Sequence, residues 1–312
     1  MKLYYAGDVH GSELCWRKFL NAAKFYEADT LIMGGDITGK LMVPVVETGD
    51  GRHEARVVGK HEIVSADELE EMEKRIRFNG FYPYRCDRAE YDRLNSDTDY
   101  REETFTRLMI AEVRRWIALA EERLAGTGIR CFVMPGNDDE FGIDEALEST
   151  TVVNPDNKVV RIGDDAQMLS CSGTNPTPWD SPREEPEEQL LERLHGLAAQ
   201  LDPGLTTIFN LHCPPHGTML DRAPQLTADL KVVLDGGEPR IVSVGSTAVR
   251  TLIEEVQPVL SLHGHIHESK AVAKIGKTTC VNPGSAYSEG VIDGAVIDLR
   301  KDRVRSCQLV TG

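Results

Sequence analysis

The chain is most constrained by a series of short apolar runs separated by stretches with a helical pattern. An apolar run at 3–6 precedes a helical stripe of Leu14, Phe19, Leu20 and Ala23, and a second run follows at 30–33. A strand, a helix and a strand in this length predict a βαβ unit, and therefore an α/β protein. Further runs that we interpret as strands lie at 129–134, 159–162, 167–172, 206–211, 259–262, 278–281, 295–299 and 304–310.

Five of these runs end in residues that can bind a metal ion. In chain order they are Asp8 with His10, then Asp36, Asn137, His212, and His265 with His267. The carboxyl ends of parallel strands meet at one edge of a sheet, where α/β proteins bind their ligands. Mixed oxygen and imidazole ligands suit divalent or trivalent first-row metals. The runs therefore predict a metal site.

The number of ligand groups favours two ions over one. A carboxylate has two oxygens, so Asp36 is the natural bridge between them. Two ions about 3.5–4 Å apart can clamp a phosphate and activate a water. His263, the third histidine of its cluster, is expected to support the ligands or to pack behind them.

The composition of the chain argues against several classes of protein. The chain has 312 residues, of which 40% are hydrophobic, and its 35 basic and 51 acidic residues give a formal charge of −16. This charge opposes nucleic-acid binding through the overall field. The seven cysteines contain no Cys-x-x-Cys pair, which indicates a reducing compartment. With no apolar run long enough for a membrane and no pattern of a signal peptide, we expect a cytoplasmic location.

Residues 38–128 have a different pattern, which predicts a mainly helical insertion. Apolar runs at 43–46 and 55–58 flank Gly49-Asp50-Gly51, a hairpin signal. A charged helix is expected at 66–78 and a longer one at about 100–125. The stretch most able to contact a ligand is 82–85, Tyr-Pro-Tyr-Arg.

The metal-binding motifs together resemble those of the calcineurin-like metallophosphoesterase superfamily. They are Gly7-Asp8-Val9-His10-Gly11, Gly34-Gly35-Asp36, Gly136-Asn137-Asp138, Leu211-His212 and Gly264-His265-Ile266-His267, in the family's order. The resemblance covers about residues 1–40 and 129–312. It implies one domain over 1–312 with a four-layer αββα fold, in which two mixed sheets pack as a sandwich between helices.

The resemblance also implies a ligand set and a reaction. One ion would be held by Asp8, His10, Asp36 and His267, and the other by Asp36, Asn137, His212 and His265. The ions would be manganese, iron, zinc or nickel, with manganese the first choice for assays. A water or hydroxide between them would attack a phosphomonoester or phosphodiester in line, while Asn137 helps to fix the geometry.

Asp138 departs from the family pattern. Many members carry a histidine here that protonates the leaving group, whereas an aspartate has an ordinary pKa near 3.9 and nearby cations favour its charged form. Protonation then falls to water or to His216, or the leaving group needs little help. Branches that lack the histidine are often associated with phosphodiesters, which favours a small-molecule phosphodiester substrate.

Other functions stay open at this point. A binding or scaffolding module on the same fold would be expected to lose ligands, whereas every ligand position is filled here. A nuclease is disfavoured by the negative charge, and nothing in the sequence identifies the peptide groove of a protein phosphatase. The Pro-rich stretch 175–179 is expected to form a lip of the site, and Ser181-Pro182-Arg183-Glu184 is expected to start a helix.

Overall fold

The computed structural model describes residues 1–227, 229–301 and 303–312. Its strands are β1 (Lys2–Ala6), β2 (Thr30–Met33), β3 (Met42–Glu47), β4 (Arg52–Val57), β5 (Lys60–Ser65), β6 (Tyr82–Cys86), β7 (Arg130–Val133), β8 (Val152–Val153), β9 (Lys158–Arg161), β10 (Ala166–Cys171), β11 (Thr206–Leu211), β12 (Arg222–Pro224), β13 (Leu234–Asp235), β14 (Glu238–Pro239), β15 (Ile241–Ser243), β16 (Leu260–Leu262), β17 (Ala271–Ile275), β18 (Thr278–Asn282), β19 (Asp293–Arg300) and β20 (Arg303–Thr311). The α-helices are α1 (Glu13–Phe25), α2 (Leu69–Phe78), α3 (Arg88–Ser96), α4 (Thr98–Leu124), α5 (Glu187–Ala198) and α6 (Thr247–Val256).

Two six-stranded mixed sheets form the centre of the molecule. The first has the order β20-β19-β1-β2-β7-β8. Its strands β1, β2, β7 and β8 are parallel, while β19 pairs antiparallel with both β1 and β20. The second has the order β17-β18-β16-β11-β10-β9, with four parallel central strands between antiparallel edges. The parallel strands of each sheet therefore deliver their carboxyl ends to one edge.

The alternation of side chains on β1 shows how the layers pack. Leu3 and Tyr5 lie in the core between the two sheets, while Tyr4 and Ala6 face the helices outside the first sheet. All four are buried, as expected for a strand covered on both faces. Since successive side chains point to opposite faces, one strand contributes to two cores.

Helices cover the outer face of each sheet. Helices α1 and α4 pack on the first sheet, and α5 and α6 pack on the second. The second helical layer buries Leu190 and Leu194 of α5 and Val249, Leu252 and Ile253 of α6. These layers confirm the αββα sandwich of two mixed sheets that the resemblance implies.

The segment 38–128 contains more strands than predicted. It contains a four-stranded sheet of order β5-β4-β3-β6 in addition to α2, α3 and α4. The hairpin and the two predicted helices are present, but β5 and β6 were not foreseen because Lys60, His61 and Pro83 break the apolar alternation. That the segment is an insertion stays a prediction.

Two parts of this segment belong to the main packing. Helix α4 stacks Trp116 on Trp16 of α1, with ring centroids 5.1 Å apart, so it forms part of the outer helical layer. The second part is the stretch 82–85, predicted to contact a ligand, which lies in β6. There Tyr82 is buried, and its hydroxyl accepts a hydrogen bond from the Gly39 amide.

Across the described ranges, no helix combines the length and the apolar character needed to cross a membrane. The seven cysteines are unpaired, and Cys15, Cys131, Cys171 and Cys280 are core residues.

Candidate metal centre

The seven predicted ligands converge at the carboxyl ends of central strands from both sheets. Two groups of predicted metal ligands have their ligand atoms within 4.8 Å of one another, namely Asp8 with His10 and His267, and Asp36 with His212 and His265. A further group of this kind joins His10 and Asp36 to Asp138. Loops after β1, β2 and β7 approach from the first sheet, and loops after β11 and β16 approach from the second. The residues were predicted from five separate runs, and the fold brings them into one pocket.

Asp36 faces both groups with different oxygens. Its Oδ2 lies 3.7 Å from His10 Nε2, and its Oδ1 lies 3.4 Å from His212 Nε2. In the first group, His10 Nε2 lies 3.1 Å from His267 Nε2, and His267 Nε2 lies 3.6 Å from Asp8 Oδ1. The carboxylate therefore has the placement that a bridging ligand requires.

Asn137 completes the second group. Its Oδ1 lies 3.0 Å from His212 Nε2. Its amide nitrogen donates to Ser181 Oγ at 2.6 Å, which turns the amide oxygen toward the ligands. His212 Nδ1 in turn lies 2.8 Å from the Gly34 carbonyl, so Nε2 is the nitrogen that faces the site.

Backbone conformation at the site is unusual. Asp8, His10, Asp36 and His265 have φ values of 55°, 39°, 50° and 67°, in the left-handed region that L-residues rarely adopt. Each such residue costs on the order of 1–3 kcal/mol and persists only where the surroundings fix it. Strain is therefore concentrated on the candidate ligands.

Two glycines let the loops approach closely. A Cβ on Gly136 would lie 2.1 Å from Asp36 Oδ1, and a Cβ on Gly264 would lie 2.4 Å from Asp8 Oδ2. Any side chain at either position would displace a carboxylate of the site. The glycine in each of these motifs is thus required by the contact between loops.

Burial and the two carboxylates set the charge states of the site. Burial lowers the pKa of His10 to about 3 and that of His265 to about 4, so both imidazoles are neutral and have a lone pair to donate. Burial also lowers the pKa of His212, but Asp36 and Asp8 outweigh it and raise the value to about 10. Although burial raises the pKa of Asp36, His212 and His10 hold it well below its usual range. With a pKa of about 10, His212 carries a proton at neutral pH in the protein without metal ions, and it would release this proton on binding one.

The residues fit a pair of metal ions. Asp8 Oδ2 is buried and has no hydrogen-bond partner among the residues that the structure describes. An uncompensated buried carboxylate oxygen is costly, and a metal ion would satisfy it. Neutral imidazoles with carboxylate and amide oxygens are ligands that first-row metals accept.

Asp139 is a functional residue that the sequence analysis missed. Its buried carboxylate accepts hydrogen bonds from the amides of Gly136, Ile37 and Thr38, at 2.8, 3.0 and 2.9 Å. It therefore ties the loop after β2 to the loop after β7. The sequence does show a second aspartate next to Asp138. Only contacts made in the folded chain show that Asp139, and not Asp138, joins the two loops.

His263 lies behind the ligands. It is fully buried, and its Nδ1 lies 2.9 Å from the carbonyl oxygens of both Leu211 and Cys213. These contacts hold the backbone on either side of His212. Burial lowers the pKa of His263 to about 4, which keeps it neutral.

Asp138 is paired with a lysine that the sequence analysis did not single out. Lys40 Nζ lies 2.5 Å from Asp138 Oδ2, and the Asp138 amide donates to Asp36 Oδ1 at 3.1 Å. Burial and the neighbouring Asp36 raise the pKa of Asp138, and Lys40 only partly offsets them. Lys40 thus favours the charged form of Asp138, as expected of a nearby cation, while burial and Asp36 oppose it. The effect of metal ions on this carboxyl stays a prediction.

The ligands open into a cleft of about 730 Å³. Asp36, His265 and His267 line it together with Lys40 and Asp138. The Pro-rich stretch 175–179 lines the same cleft, in the position predicted for a lip. Small-molecule sites typically have volumes of about 300–1,000 Å³.

His216 also lies in this cleft, but outside the ligand groups. Its Nδ1 is 3.8 Å from Asp221 Oδ2, and its side chain is 44% exposed. The structure thus leaves His216 accessible to a bound molecule without a contact to the candidate metal ligands.

Part of the chain is similar in sequence to a protein of unknown function. The chain is 33% identical over 153 residues to the uncharacterized protein MJ1162 of Methanocaldococcus jannaschii. The match covers 48% of this chain and 62% of that protein, which is less than two thirds of its length. No protein-family model matches the sequence.

Solved structures resemble the whole chain. One crystal structure aligns with a TM-score of 0.56 and 17% identity, covering 99% of this chain and 98% of the other. The crystal structure of TT1561 of Thermus thermophilus aligns with a TM-score of 0.53 and 13% identity, covering 100% and 97%. At such identities the similarity establishes the fold alone.

Proposed function

We propose that the chain is a metal-dependent phosphoester hydrolase with a dinuclear centre, and the premise is that its αββα layers form the metallophosphoesterase fold. The observation that carries the proposal is the placement of Asp36. One oxygen faces His10 and the other faces His212, so a single carboxylate joins two groups of ligands.

The two groups divide the ligands between two ions. Asp8, His10, Asp36 and His267 would hold one, and Asp36, Asn137, His212 and His265 would hold the other. Manganese, iron, zinc and nickel all suit this set. When bound, two such ions lower the pKa of a water and neutralise phosphoryl oxygens.

Other polar residues of the site would bind the phosphate, hold a ligand in place or protonate the leaving group. The Lys40 ammonium is placed to contact a phosphoryl oxygen, and its ion pair with Asp138 fixes where it points. Asn137 is held by Ser181, so its amide oxygen does not rotate away from the ligands. His216 lines the cleft and is our candidate for the group that protonates the departing alcohol.

We favour a small-molecule phosphodiester as substrate. The family's usual histidine is replaced by Asp138, whose partner Lys40 adds positive charge at the same place. A cleft of about 730 Å³ suits a small ligand. The formal charge of −16 opposes a nucleic acid.

The test is hydrolysis by the metal-free and manganese-loaded chain. Bis(p-nitrophenyl) phosphate and p-nitrophenyl phosphate report diesterase and monoesterase activity in one assay. Asp36→Asn removes the bridge, so we expect metal-dependent hydrolysis to fall by more than about 100-fold, which is the upper range for losing a group that merely supports a ligand. Asp50→Asn, at an exposed carboxylate of the β3–β4 hairpin, should leave it unchanged.

Two results would count against the proposal. Near-normal turnover by Asp36→Asn would show that the bridge is not part of the reaction. No hydrolysis of either ester by chain with metal bound would favour a binding module on the same fold. A faster monoester reaction would contradict only the diester preference.

A further inference from the structure

One part of the cleft is apolar and is not explained by phosphate chemistry. Its lining there is formed by Pro176, Pro178, Trp179, Pro224, Leu226 and Val232. The Trp179 side chain is 60% exposed and Val232 is 46% exposed. A tryptophan that contributes so little to the core of the protein leaves an aromatic surface free for a ligand.

The loop that carries Trp179 is held in place by hydrogen bonds. The Thr177 amide donates to Glu184 Oε2 at 2.7 Å, and the Trp179 amide donates to Thr177 Oγ1 at 3.2 Å. Pro176 and Pro178 fix the backbone on either side of Thr177. The exposed indole therefore sits on a preorganised platform, which lowers the entropy cost of binding to it.

The platform is connected to the metal centre. Ser181 accepts from the Asn137 side chain at 2.6 Å, and the Arg183 amide donates to the Asn137 carbonyl at 3.2 Å. On the other side, Asn175 Nδ2 donates to the Val244 carbonyl at 3.2 Å. The loop that carries Trp179 is thus tied by hydrogen bonds to Asn137, a candidate ligand.

The apolar part and the metal ligands belong to one continuous cleft. Asp36, His265 and His267 line the same cavity of about 730 Å³ as Trp179. A phosphate at the ligands and an apolar group against the indole can therefore be parts of one molecule. A cavity of this volume is in the range of small-molecule sites and is small for a macromolecule.

We propose that this apolar part binds an aromatic group esterified to the substrate phosphate, with Trp179 as the residue that recognises it. The class of substrate is then an aryl or aryl-bearing phosphoester. An aromatic group fits better than a flexible alkyl chain, because flat rings pack on indole and proline faces with few torsions to freeze. The inference rests on the proposed function, since it puts the phosphate at the metal centre.

Phosphonates test this without hydrolysis, because the carbon–phosphorus bond is not an ester. Methyl-, cyclohexyl-, phenyl- and biphenyl-4-phosphonate are titrated calorimetrically into the manganese-loaded chain. We expect the better of the two aryl compounds to bind about fivefold or more tightly than cyclohexylphosphonate, in line with a stacking contribution beyond burial alone. Equal affinities of the aryl and cyclohexyl compounds would overturn the inference.

Tryptophan fluorescence gives an independent readout. Trp16 and Trp116 are 1% and 3% exposed, so quenching by acrylamide reports mainly on Trp179. The aryl phosphonate should protect the emission from quenching, whereas methylphosphonate should not. Absence of protection at saturating aryl phosphonate would contradict contact with the indole.

Variants separate this inference from the proposed function. Trp179→Ala should abolish the preference for aryl compounds while methylphosphonate affinity stays unchanged, and Phe25→Ala, at another exposed ring, should leave both unchanged. A preference that survives Trp179→Ala would overturn the inference. If neither methylphosphonate nor inorganic phosphate binds the metal-loaded chain, the proposed function itself fails, and the inference fails with it.

Discussion

At the scale of single residues, Asp36 shows what the site demands. It is buried, has a left-handed backbone conformation, and faces a different histidine with each oxygen. The sequence predicted its identity as a ligand because an apolar run and two glycines precede it. Its strained φ and the Gly136 contact were not predictable, since both depend on how two loops meet.

Gly136→Ala tests the close approach of these loops. The new Cβ would lie 2.1 Å from Asp36 Oδ1, so the loop or the carboxylate must move. We expect metal affinity to fall by at least about tenfold and the free energy of unfolding to fall by about 1–3 kcal/mol. Metal titration and urea denaturation measure the two effects.

Gly196→Ala is the matched control. A Cβ at Gly196 in α5 meets nothing within 4 Å. This substitution should raise the free energy of unfolding by about 0.5–1 kcal/mol and leave metal binding unchanged. Unchanged metal affinity in Gly136→Ala would show that the loops can separate without cost.

Asp138→Asn tests the ion pair with Lys40. An ion pair with a half-exposed lysine contributes little, so we expect turnover to fall by about tenfold or less, far less than in Asp36→Asn. The measurement is kcat/KM for the diester. A loss as deep as that of Asp36→Asn would make Asp138 a catalytic residue in its own right.

The candidate ligands were predictable from local sequence, and their supporting residues were not. Each ligand lies within a few residues of the end of an apolar run, which is a local signal. Lys40, Asp139 and Trp179 take their roles from partners far away in the chain, such as Asp138 for Lys40 and the Thr38 amide for Asp139. A single sequence contains no signal for such contacts.

At the scale of elements, a short local pattern did not locate the start of α5. The predicted helix start at Ser181 is wrong, because α5 begins at Glu187. Glu184 does accept from the Ser181 amide, as a capping box would require, but it also binds Thr177 and closes a turn. The same short pattern is compatible with a turn and with a helix start. Here the contacts of Glu184 with Thr177 in the 175–179 loop favour the turn.

Trp116→Ala tests whether α4 belongs to the main body. Trp116 is 3% exposed and stacks on Trp16, and its carbonyl accepts from the Trp16 indole nitrogen at 3.2 Å. We expect a loss of about 3–5 kcal/mol in the free energy of unfolding. Trp179→Ala, at an exposed tryptophan, should change it by no more than about 0.5 kcal/mol. A loss below about 1 kcal/mol for Trp116→Ala would mean that α4 is not needed by the core.

At the scale of the whole molecule, the site lies where the two sheets of the sandwich meet. Asp8, Asp36 and Asn137 come from the first sheet, and His212 and His265 come from the second. The sequence implied this arrangement only through the resemblance, because strand periodicity does not say which sheet a strand joins. Bound ions would link the sheets and stabilise the folded state by mass action.

The central claim is that one pocket holds two metal ions joined by Asp36. The most direct measurement is anomalous diffraction from crystals of the manganese-loaded chain. We predict two peaks about 3.5–4 Å apart, with the Asp36 carboxylate between them and His10 and His212 on opposite sides. A single peak, or peaks that do not contact Asp36, would contradict the account.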